Sequence, residues 1–427
     1  MVLQVSGSSI ARRAAGCALA GLALLLSLAA CGAGAGGGSS AHASAADPHM
    51  SCPELVLDTL GRVVRRVYRE GVASERTGAA RHLIAGSIPL REAVQAGDSA
   101  AATAAAKALV AGGHMTNLRV VQGTRVLADV GVPAVAPLRG TIRGAHGTPI
   151  ASYVSSVWAD EGFIAESDGI GQGLIALRAR GRSIGGSLPI HPGPLPQAGT
   201  LSYQHVRYQY TSFGGTAYPA GALRIYLLKP VSSTAAFCGR TSEDTVVSVL
   251  SREASLIYAG EAGRRTLPQV RRVQGDPALL DAVARSDPAA TRLAVEALLN
   301  QHIVRLRVSA RGRLLADVGG PYVLAPVRAA LTLGGRTIGS FVLSIQDDEG
   351  YLRLTKRLAG LSVLMYMNDR GGHPVLVKNS LGPEPGSVPD SGSYSYRGRS
   401  FRVFTIHAHA FPSGPLRINV LIPIPYT

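Results

Sequence analysis

The sequence has 427 residues, of which 46% are hydrophobic and 16% charged; this balance excludes a disordered chain and leaves room for two or three globular domains. Its 43 Lys and Arg residues outnumber its 27 Asp and Glu residues, which gives a net charge of +16 and favours anionic partners. The 51 glycines and 25 prolines indicate many turns and therefore a fold rich in strands.

The first 30 residues have the layout of an export signal. Arg12 and Arg13 precede an apolar segment, residues 18–30, which is shorter than the roughly 20 apolar residues that span a bilayer. The segment closes with Leu-Ala-Ala-Cys-Gly, in which the cysteine is Cys31. This ending resembles the signals of bacterial lipoproteins, and the resemblance implies cleavage after residue 30 and a diacylglycerol on the Cys31 thiol. The alternative is an ordinary secretion signal cleaved nearby.

A lipidated chain of this kind is expected at the cell membrane, on its extracytoplasmic face. The resemblance implies membrane lipid as a partner through acylated Cys31, with residues 31–51 as a flexible tether. The positive charge suits anionic wall polymers, and the compartment excludes nucleic acid as a partner. No later segment is apolar over enough residues to cross a membrane, so any signal has to pass to a separate membrane partner.

The cysteines that remain after export are Cys52 and Cys238. Cys17 is removed with the signal and Cys31 carries lipid in this interpretation. An even pair in an oxidising compartment favours a disulfide between Cys52 and Cys238. Two separate thiols are the alternative, because the sequence does not show whether the two Cα atoms lie close enough.

The rest of the chain contains an internal repeat with a spacing of roughly 190 residues. The paired segments, in chain order, are Arg125-Val-Leu-Ala-Asp-Val-Gly131 with Arg313-Leu-Leu-Ala-Asp-Val-Gly319, Ala136-Pro-Leu-Arg139 with Ala325-Pro-Val-Arg328, Asp160-Glu-Gly-Phe163 with Asp348-Glu-Gly-Tyr351, and Tyr218-Pro219 with Phe411-Pro412. Because the match extends along both halves, it predicts two domains of one fold, at residues 52–230 and 238–427.

Each copy is predicted to begin with helices. Ser51 and Pro53 form a helix start before an apolar face, and Thr241 stands at capping distance from Asp244 in the second copy. Asp98 and Asp287 are predicted to begin a later helix in each copy.

Strands are predicted to follow the helices. Residues 302–309 alternate, and a turn at Arg311-Gly312 leads into residues 314–318. Residues 399–407 and 416–422 are predicted to form a final hairpin, and residues 348–358 a helix between strands. Helices followed by an antiparallel sheet with one inserted helix define the α+β class.

This order resembles the extracellular Cache or PAS-like sensory domains of bacterial membrane proteins. The matching stretches are Leu315–Gly320, Ala325–Val327 and Gly335–Gly339 in the second copy, and Val126–Gly131, Ala136-Pro137 and Ile150 in the first. The resemblance implies that each copy is a sheet with a concave face that holds a small ligand.

Such ligands are often held by an arginine for a carboxylate and an acid for an amine. The residues that fit these roles are Arg328, Tyr322 and Asp317 in the second copy, and Arg139 and Asp129 in the first. They predict a site for a small carboxylate-bearing ligand. A structural role for the same residues is the alternative, since an Asp before Val-Gly is also a common turn residue.

Other motifs suggest chemistry less specifically. Residues 181–185 match the G-x-S-x-G pattern of serine hydrolases, with Ser183 as nucleophile, but the Pro-rich segment that follows cannot form the required helix. The acids at 347–349, and Asp160 with Glu161, are interpreted as residues of a first helical turn, where the helix dipole stabilises negative charge. His407 and His409 share one strand face but lack a third ligand, so no metal and no cofactor is predicted.

These observations predict a lipid-anchored extracytoplasmic protein that binds or senses a ligand without catalysis. A structural or adhesive envelope protein held against anionic wall polymers is the alternative. An exported serine hydrolase is the third hypothesis.

Overall fold

The chain folds as two successive copies of one order of elements, in which four helices precede two antiparallel sheets. A computed structural model describes residues 50–144, 146–188, 195–260, 266–299, 303–321, 323–369 and 371–426. Cys31 and Tyr322 lie outside the described residues. No helix in these ranges is long and apolar enough to cross a bilayer.

The first copy contains six helices and eleven strands among the described residues. The helices are α1 (Cys52–Val72), α2 (Glu75–Gly86), α3 (Ile88–Ala96), α4 (Ser99–Ala111), α5 (Asp160–Gly171) and the short α6 (Val231–Thr234). The strands are β1 (Asn117–Gln122), β2 (Arg125–Gly131), β3 (Ala134–Val135), β4 (Leu138–Arg143), β5 (Pro149–Ser156), β6 (Trp158–Ala159), β7 (Leu174–Ala179), β8 (Arg182–Gly186), β9 (Ala198–Tyr203), β10 (Val206–Tyr218) and β11 (Gly221–Pro230).

The second copy repeats this order. Its helices are α7 (Ser242–Gly260), α8 (Thr266–Gln274), α9 (Pro277–Ala284), α10 (Pro288–Leu299) and α11 (Asp348–Leu354), and α11 continues as a π-helical turn over Thr355–Ala359. Its strands are β12 (Arg305–Ala310), β13 (Arg313–Gly319), β14 (Val323–Leu324), β15 (Val327–Leu333), β16 (Arg336–Ser344), β17 (Gln346–Asp347), β18 (Ser362–Asn368), β19 (Pro374–Asn379), β20 (Gly392–Tyr396), β21 (Arg399–Ala410) and β22 (Gly414–Ile424).

The predicted helix starts are confirmed by their capping contacts. Ser51 begins α1, and its backbone N–H donates to the Glu54 carboxylate at 2.8 Å. Asp98 accepts from two backbone N–H groups at the start of α4, and Asp287 does the same before α10. The Thr241 hydroxyl accepts from the backbone of Asp244 at 3.0 Å. These side chains satisfy the backbone donors that the first turn of a helix leaves unpaired.

Each copy contains two main sheets, to which the second copy adds the two-stranded β14–β17 sheet, where the sequence indicated one sheet interrupted by a helix. The outer sheet has the strand order β2-β1-β5-β4 in the first copy and β13-β12-β16-β15 in the second. The inner sheet of the first copy has the path β8-β7-β11-β10-β3-β6 with β9 beside β10, and that of the second copy has the path β19-β18-β22-β21-β20. All pairings are antiparallel, as the α+β prediction required. Helix α5 or α11 connects the outer sheet to the inner sheet.

The predicted hairpins are present. Arg311 and Gly312 form the turn between β12 and β13 with φ of 50° and 74°. Two positive φ values match the twist of a two-residue hairpin turn, and glycine adopts one of them without steric cost. The final hairpin joins β21 to β22.

The inner sheets of both copies share one apolar core with α1 and α7. Ile175 and Ile225 from the first copy, and Val363 and Ile418 from the second, are all fully buried in this cluster. The outer sheets have separate cores against their own helices. Each copy therefore completes the interior of the other through its inner sheet and its longest helix.

Helices α1 and α7 occupy equivalent places in this core. Tyr68 of α1 meets the edge of Phe163 with ring centroids 6.2 Å apart, and Tyr258 of α7 meets Tyr351 at 5.9 Å. The repeated Asp-Glu-Gly-Phe and Asp-Glu-Gly-Tyr segments supply the second ring of each pair. Edge-to-face contact is a favoured geometry for such aromatic pairs.

A disulfide joins the beginnings of the two copies. It connects Cys52, the first residue of α1, to Cys238, which lies just before α7. The two Cα atoms are 5.8 Å apart. The bond closes a long loop, since the two cysteines are separated by 186 residues.

Candidate functional site

The acid and the arginine predicted to bind a ligand in the first copy lie on opposite edges of the outer sheet. Asp129 is on β2 and Arg139 is on β4. The strand register places Asp129, Arg119, Val154 and Arg139 in one row across the sheet. Three strand spacings of about 4.8 Å separate the ends of that row. The structure therefore does not bring Asp129 and Arg139 together as neighbouring groups.

The second copy has the same arrangement. Asp317 lies on β13 and Arg328 on β15, at the two edges of its outer sheet. Arg328 and Arg139 are both exposed. A ligand site formed by the five predicted residues thus remains a hypothesis, and its two arginines are exposed on edge strands.

Asp317 is occupied by contacts within the protein. Its carboxylate lies 2.8 Å from the Arg305 guanidinium and accepts from Nε of Arg307 at 2.9 Å. The Arg307 guanidinium also stacks over the Phe411 ring, 4.5 Å from its centroid. Burial alone opposes ionisation, yet the hydrogen bonds from the two arginines hold the pKa of Asp317 below its ordinary value. This cluster joins the outer sheet to the turn between β21 and β22.

Asp129 makes the equivalent contact in the first copy. It pairs with Arg119 at 3.1 Å and accepts a hydrogen bond from the Tyr218 hydroxyl. Tyr218 stands at the β10–β11 turn, where Phe411 stands in the second copy. A structural role for both aspartates, the alternative that the sequence left open, agrees with these contacts.

Asp317→Ala is expected to destabilise the protein by about 2–3 kcal/mol, because it leaves two arginine side chains without their carboxylate. Asp129→Ala is expected to cost about 1 kcal/mol or less, because its ion pair is more exposed. The side chains of Asp317 and Arg305 are 15% and 11% exposed, against 40% and 35% for Asp129 and Arg119. Urea denaturation of the two variants measures the difference; equal losses would contradict the structural role of Asp317.

The remaining sequence motifs lie in strands. The Gly181–Gly185 segment forms the β7–β8 turn and the start of β8, so Ser183 stands on a strand and not at the start of a helix. His407 and His409 are exposed on β21. The described part of the chain contains no cluster of three His, Cys, Asp or Glu residues placed to hold a metal ion.

A large cleft lies in the first copy between α5 and β8. Its volume is about 1100 Å³. The described residues that line it are Val132, Pro133, Ala159, Asp160, Glu161, Ile164, Ala165, Asp168, Gly169, Gln172, Gly173, Leu174, Ile184, Gly185, Gly186, Ser187, Tyr208 and Pro230. Three of these residues are acidic and none is basic, in a protein whose net charge is +16. The cleft therefore has the opposite charge to the molecule as a whole.

Asp160 is positioned at one end of the cleft by the edge of the inner sheet. It follows β6, which pairs with β3, and its backbone N–H donates to the carbonyl of Pro133 at 3.1 Å. This contact fixes the first turn of α5. The sequence assigned Asp160 and Glu161 to the helix dipole, and both do lie in that turn.

The Asp160 side chain is half-buried at the cleft, and one of its two carboxylate oxygens, Oδ1, is enclosed by the protein. This oxygen has no hydrogen bond in the described structure. Burial raises the pKa of Asp160 to about 6. An unsatisfied carboxylate oxygen is costly to bury, so a residue that keeps one beside a cleft is a candidate for ligand binding. The sequence does not reveal Asp160 as a candidate ligand-binding residue, because helix periodicity does not show which side of the first turn is covered by the sheet.

The opposite wall of the cleft comes from the β7–β8 hairpin. Ser187 donates to the Asp168 carboxylate, which also accepts from the backbone N–H of Ile175 at 2.9 Å. Gly186 of β8 lies close to β7 and has a φ of 152°. A Cβ atom at this residue would lie 2.7 Å from the carbonyl oxygen of Ile175. Glycine is therefore required at residue 186.

The inner end of the cleft contacts the second copy through Gln172. The Gln172 side chain donates to the Glu253 carboxylate on α7, and the backbone carbonyl of Gln172 accepts from the Lys229 ammonium. Glu253 is fully buried, and its Oε2 atom has no hydrogen-bond partner in the described structure. Burial raises the pKa of Glu253 to about 8, against the opposing influence of Gln172 and Lys229.

Comparison with known proteins identifies no family. No family model matches the chain, and no curated protein matches it. Among solved structures, the ligand-binding domain of the Pseudomonas fluorescens chemoreceptor CtaA with L-isoleucine is similar at 12% identity and a TM-score of 0.25, over 43% of this chain and 97% of that domain. The same domain with L-alanine gives 12% identity and a TM-score of 0.23, over 41% and 97%.

An extracellular ligand binding receptor from Desulfohalobium retbaense is similar at 10% identity and a TM-score of 0.25, over 54% of this chain. The match spans 47% of that receptor. Similarity at this level does not transfer a ligand or a role, so the function is inferred from the residues of the cleft.

Proposed function

We propose that this chain is an extracytoplasmic, lipid-anchored protein that captures a small ligand in the α5–β8 cleft of its first copy. The observation that carries this proposal is Asp160, a half-buried residue that lines a cleft of about 1100 Å³ and whose Oδ1 atom has no hydrogen-bond partner in the described structure. Ligand pockets combine apolar walls with a few polar groups that fix orientation, and this cleft has both.

The lipid anchor is part of the proposal. Its support is the Leu-Ala-Ala-Cys31-Gly sequence, which resembles lipoprotein signals. The Cys52–Cys238 disulfide suits an oxidising compartment outside the cytoplasm. The anchor would hold the cleft near the membrane, where a membrane signalling partner could respond to the captured ligand.

A thermal-shift screen of amines, carboxylic acids, sugars and nucleosides tests the proposal. A compound that binds is expected to raise the midpoint of unfolding of the unmodified protein, because a ligand of the native state stabilises it by mass action. The response is expected to disappear in Gly169→Leu. Gly169 lines the cleft on α5, and a Cβ atom there meets nothing within 4 Å, so a leucine can be added at the cleft wall without a clash and is expected to obstruct the cleft.

Gly78→Leu is the matched control. Gly78 lies within α2, away from the cleft, and a Cβ atom there also meets open space. Both substitutions replace a helical glycine and should stabilise their helices similarly. Ligands that still bind Gly169→Leu, or a complete lack of response in the screen, would refute a binding role for this cleft. Salt-sensitive binding to wall polymers alone would then favour the envelope-protein alternative.

A further inference from the structure

The strand register makes Gly185 of the first copy equivalent to Lys378 of the second. In the first copy, Leu177 of β7 pairs with Gly185 on β8 and with Ile225 on β11. Ile225 ends the Leu-Arg-Ile segment that recurs in the second copy. The pairing therefore fixes the position of Gly185 relative to a repeated segment.

The second copy has the same pairing with a different side chain. Met365 of β18 pairs with Lys378 on β19 and with Ile418 on β22, and Ile418 ends the second Leu-Arg-Ile segment. A serine two residues later confirms the alignment in both copies. The Ser187 hydroxyl accepts from the backbone N–H of Ile175, the second residue of β7, and the Ser380 hydroxyl accepts from that of Val363, the second residue of β18.

Lys378 binds the two acids that open α11. Its ammonium lies 2.8 Å from the Glu349 carboxylate and 3.4 Å from that of Asp348. These acids belong to the Asp-Glu-Gly-Tyr segment, and the first copy has Asp160 and Glu161 in the corresponding Asp-Glu-Gly-Phe segment. The hydrogen bond to Glu349 raises the pKa of Lys378, so the lysine is held as a cation.

Glycine leaves this place open in the first copy. Gly185 lines the cleft together with Asp160 and Glu161, and it has no side chain that could reach the two acids as the lysine does in the second copy. The charge also differs further along the helix, where Asp168 stands at the place of Lys356. The described lining of the cleft thus has the acids of the second copy without its cation.

We propose that the cleft binds a ligand with a primary ammonium group, which takes the place beside Asp160 and Glu161 that Lys378 takes in the second copy. This inference rests on the proposed function and names the ligand class of the same site. Ile164, Ile184 and Leu174 give the cleft apolar surface beyond the two acids, so the ligand is an amine with an apolar body. An amine placed there would supply the positive charge that Lys378 supplies to Asp348 and Glu349 in the second copy.

Titration with n-pentylamine, 1-pentanol and pentanoate tests the ligand class, because these probes share a chain and differ in the head group. We expect n-pentylamine to bind at least tenfold more tightly than the other two. Asp160→Asn is expected to weaken amine binding at least tenfold with almost no change in volume. Amine binding is also expected to weaken as the pH is lowered below about 6, where Asp160 becomes protonated.

Gly185→Lys tests the equivalence with Lys378. A Cβ atom at residue 185 would lie 3.2 Å from Cδ1 of Ile164, the flexible end of a side chain that can move slightly. We expect the new lysine to abolish amine binding and to raise the midpoint of unfolding. Gly185→Met is the matched control; it fills the same space without charge and should not produce that increase.

Lys378→Gly gives the reciprocal test. It is expected to lower the midpoint of unfolding, and millimolar n-pentylamine should restore part of the loss by replacing the missing ammonium. Pentanoate or 1-pentanol that binds as tightly as the amine and is excluded by Gly169→Leu would overturn the amine assignment and leave the proposed function standing. If no probe and no library compound binds the cleft, both fail.

Discussion

Glu253→Gln is expected to make the protein more stable above pH 8 while leaving its stability near pH 5 almost unchanged. Glu253 is fully buried on α7, and burial raises its pKa from 4.5 to about 8. The native state therefore binds more protons than the unfolded state between these two values. The stability contributed by the protonated carboxyl is present below about pH 4.5 and is lost as the pH rises through 8.

The size of this effect follows from the shift. Each unit of pKa difference corresponds to about 1.4 kcal/mol, so the stability of the unmodified protein is expected to fall by roughly 3–5 kcal/mol between pH 5 and pH 9 through this group. Glutamine has the same shape, stays neutral and still accepts from Gln172. Urea denaturation of both proteins across this pH range should give curves that meet at low pH and separate at high pH.

The first copy shows why the charge is not needed for folding. Val63 of α1 is the equivalent of Glu253, since Arg62 and Tyr68 align with Arg252 and Tyr258. Val63 is fully buried. Glu253→Val should therefore also fold and show the same separation at high pH. Parallel curves for the glutamine variant and the unmodified protein would show that Glu253 is not the group that titrates.

Replacing Cys52 and Cys238 by serine is expected to cost about 4–5 kcal/mol of stability. In the chain-entropy model, the cost grows with the length of the closed loop, and the two cysteines are 186 residues apart. For the folded part of this chain, that loss corresponds to a fall in the midpoint of unfolding of roughly 6 °C. Calorimetry of the double variant and of the unmodified protein measures it.

Treatment with a reducing agent is the control for the disulfide. It should lower the midpoint of the unmodified protein to that of the double variant, and it should not change the variant. A double variant as stable as the parent, or equally sensitive to reduction, would show that the bond does not constrain the unfolded chain.

The repeat made much of the fold predictable from sequence. The helix starts at Ser51 and Asp98 follow from local capping chemistry, and the turn at Arg311-Gly312 follows from the needs of a tight hairpin. The division of each copy into two sheets did not follow, because strand patterns indicate that strands exist and leave their partners open. Only the pairing register separates β1–β5 from β7–β11.

The candidate site was less predictable. Asp129 and Asp317 are candidates from the sequence because an acid and an arginine recur together, yet both carboxylates are held by other arginines from the neighbouring strand. Asp160 is a candidate because its Oδ1 atom is buried, and that burial cannot be foreseen until the position of the neighbouring sheet is known. The sequence does carry one indication of this site, since the first copy has Gly185 at the position where the second has Lys378. That difference becomes visible only when β8 and β19 are aligned through the strands with which they pair.

The shared core also determines which residues each copy is free to vary. Helix α1 packs against the first inner sheet and α7 against the second, and the two helices also contact each other, so a change on either helix disturbs the core that both copies share. The cleft face of α5 and the residue at 185 belong to one copy alone. Under the proposed function, the second copy keeps the ion pairs of Lys378, whereas the first copy can gain or lose its ligand through a change at one residue.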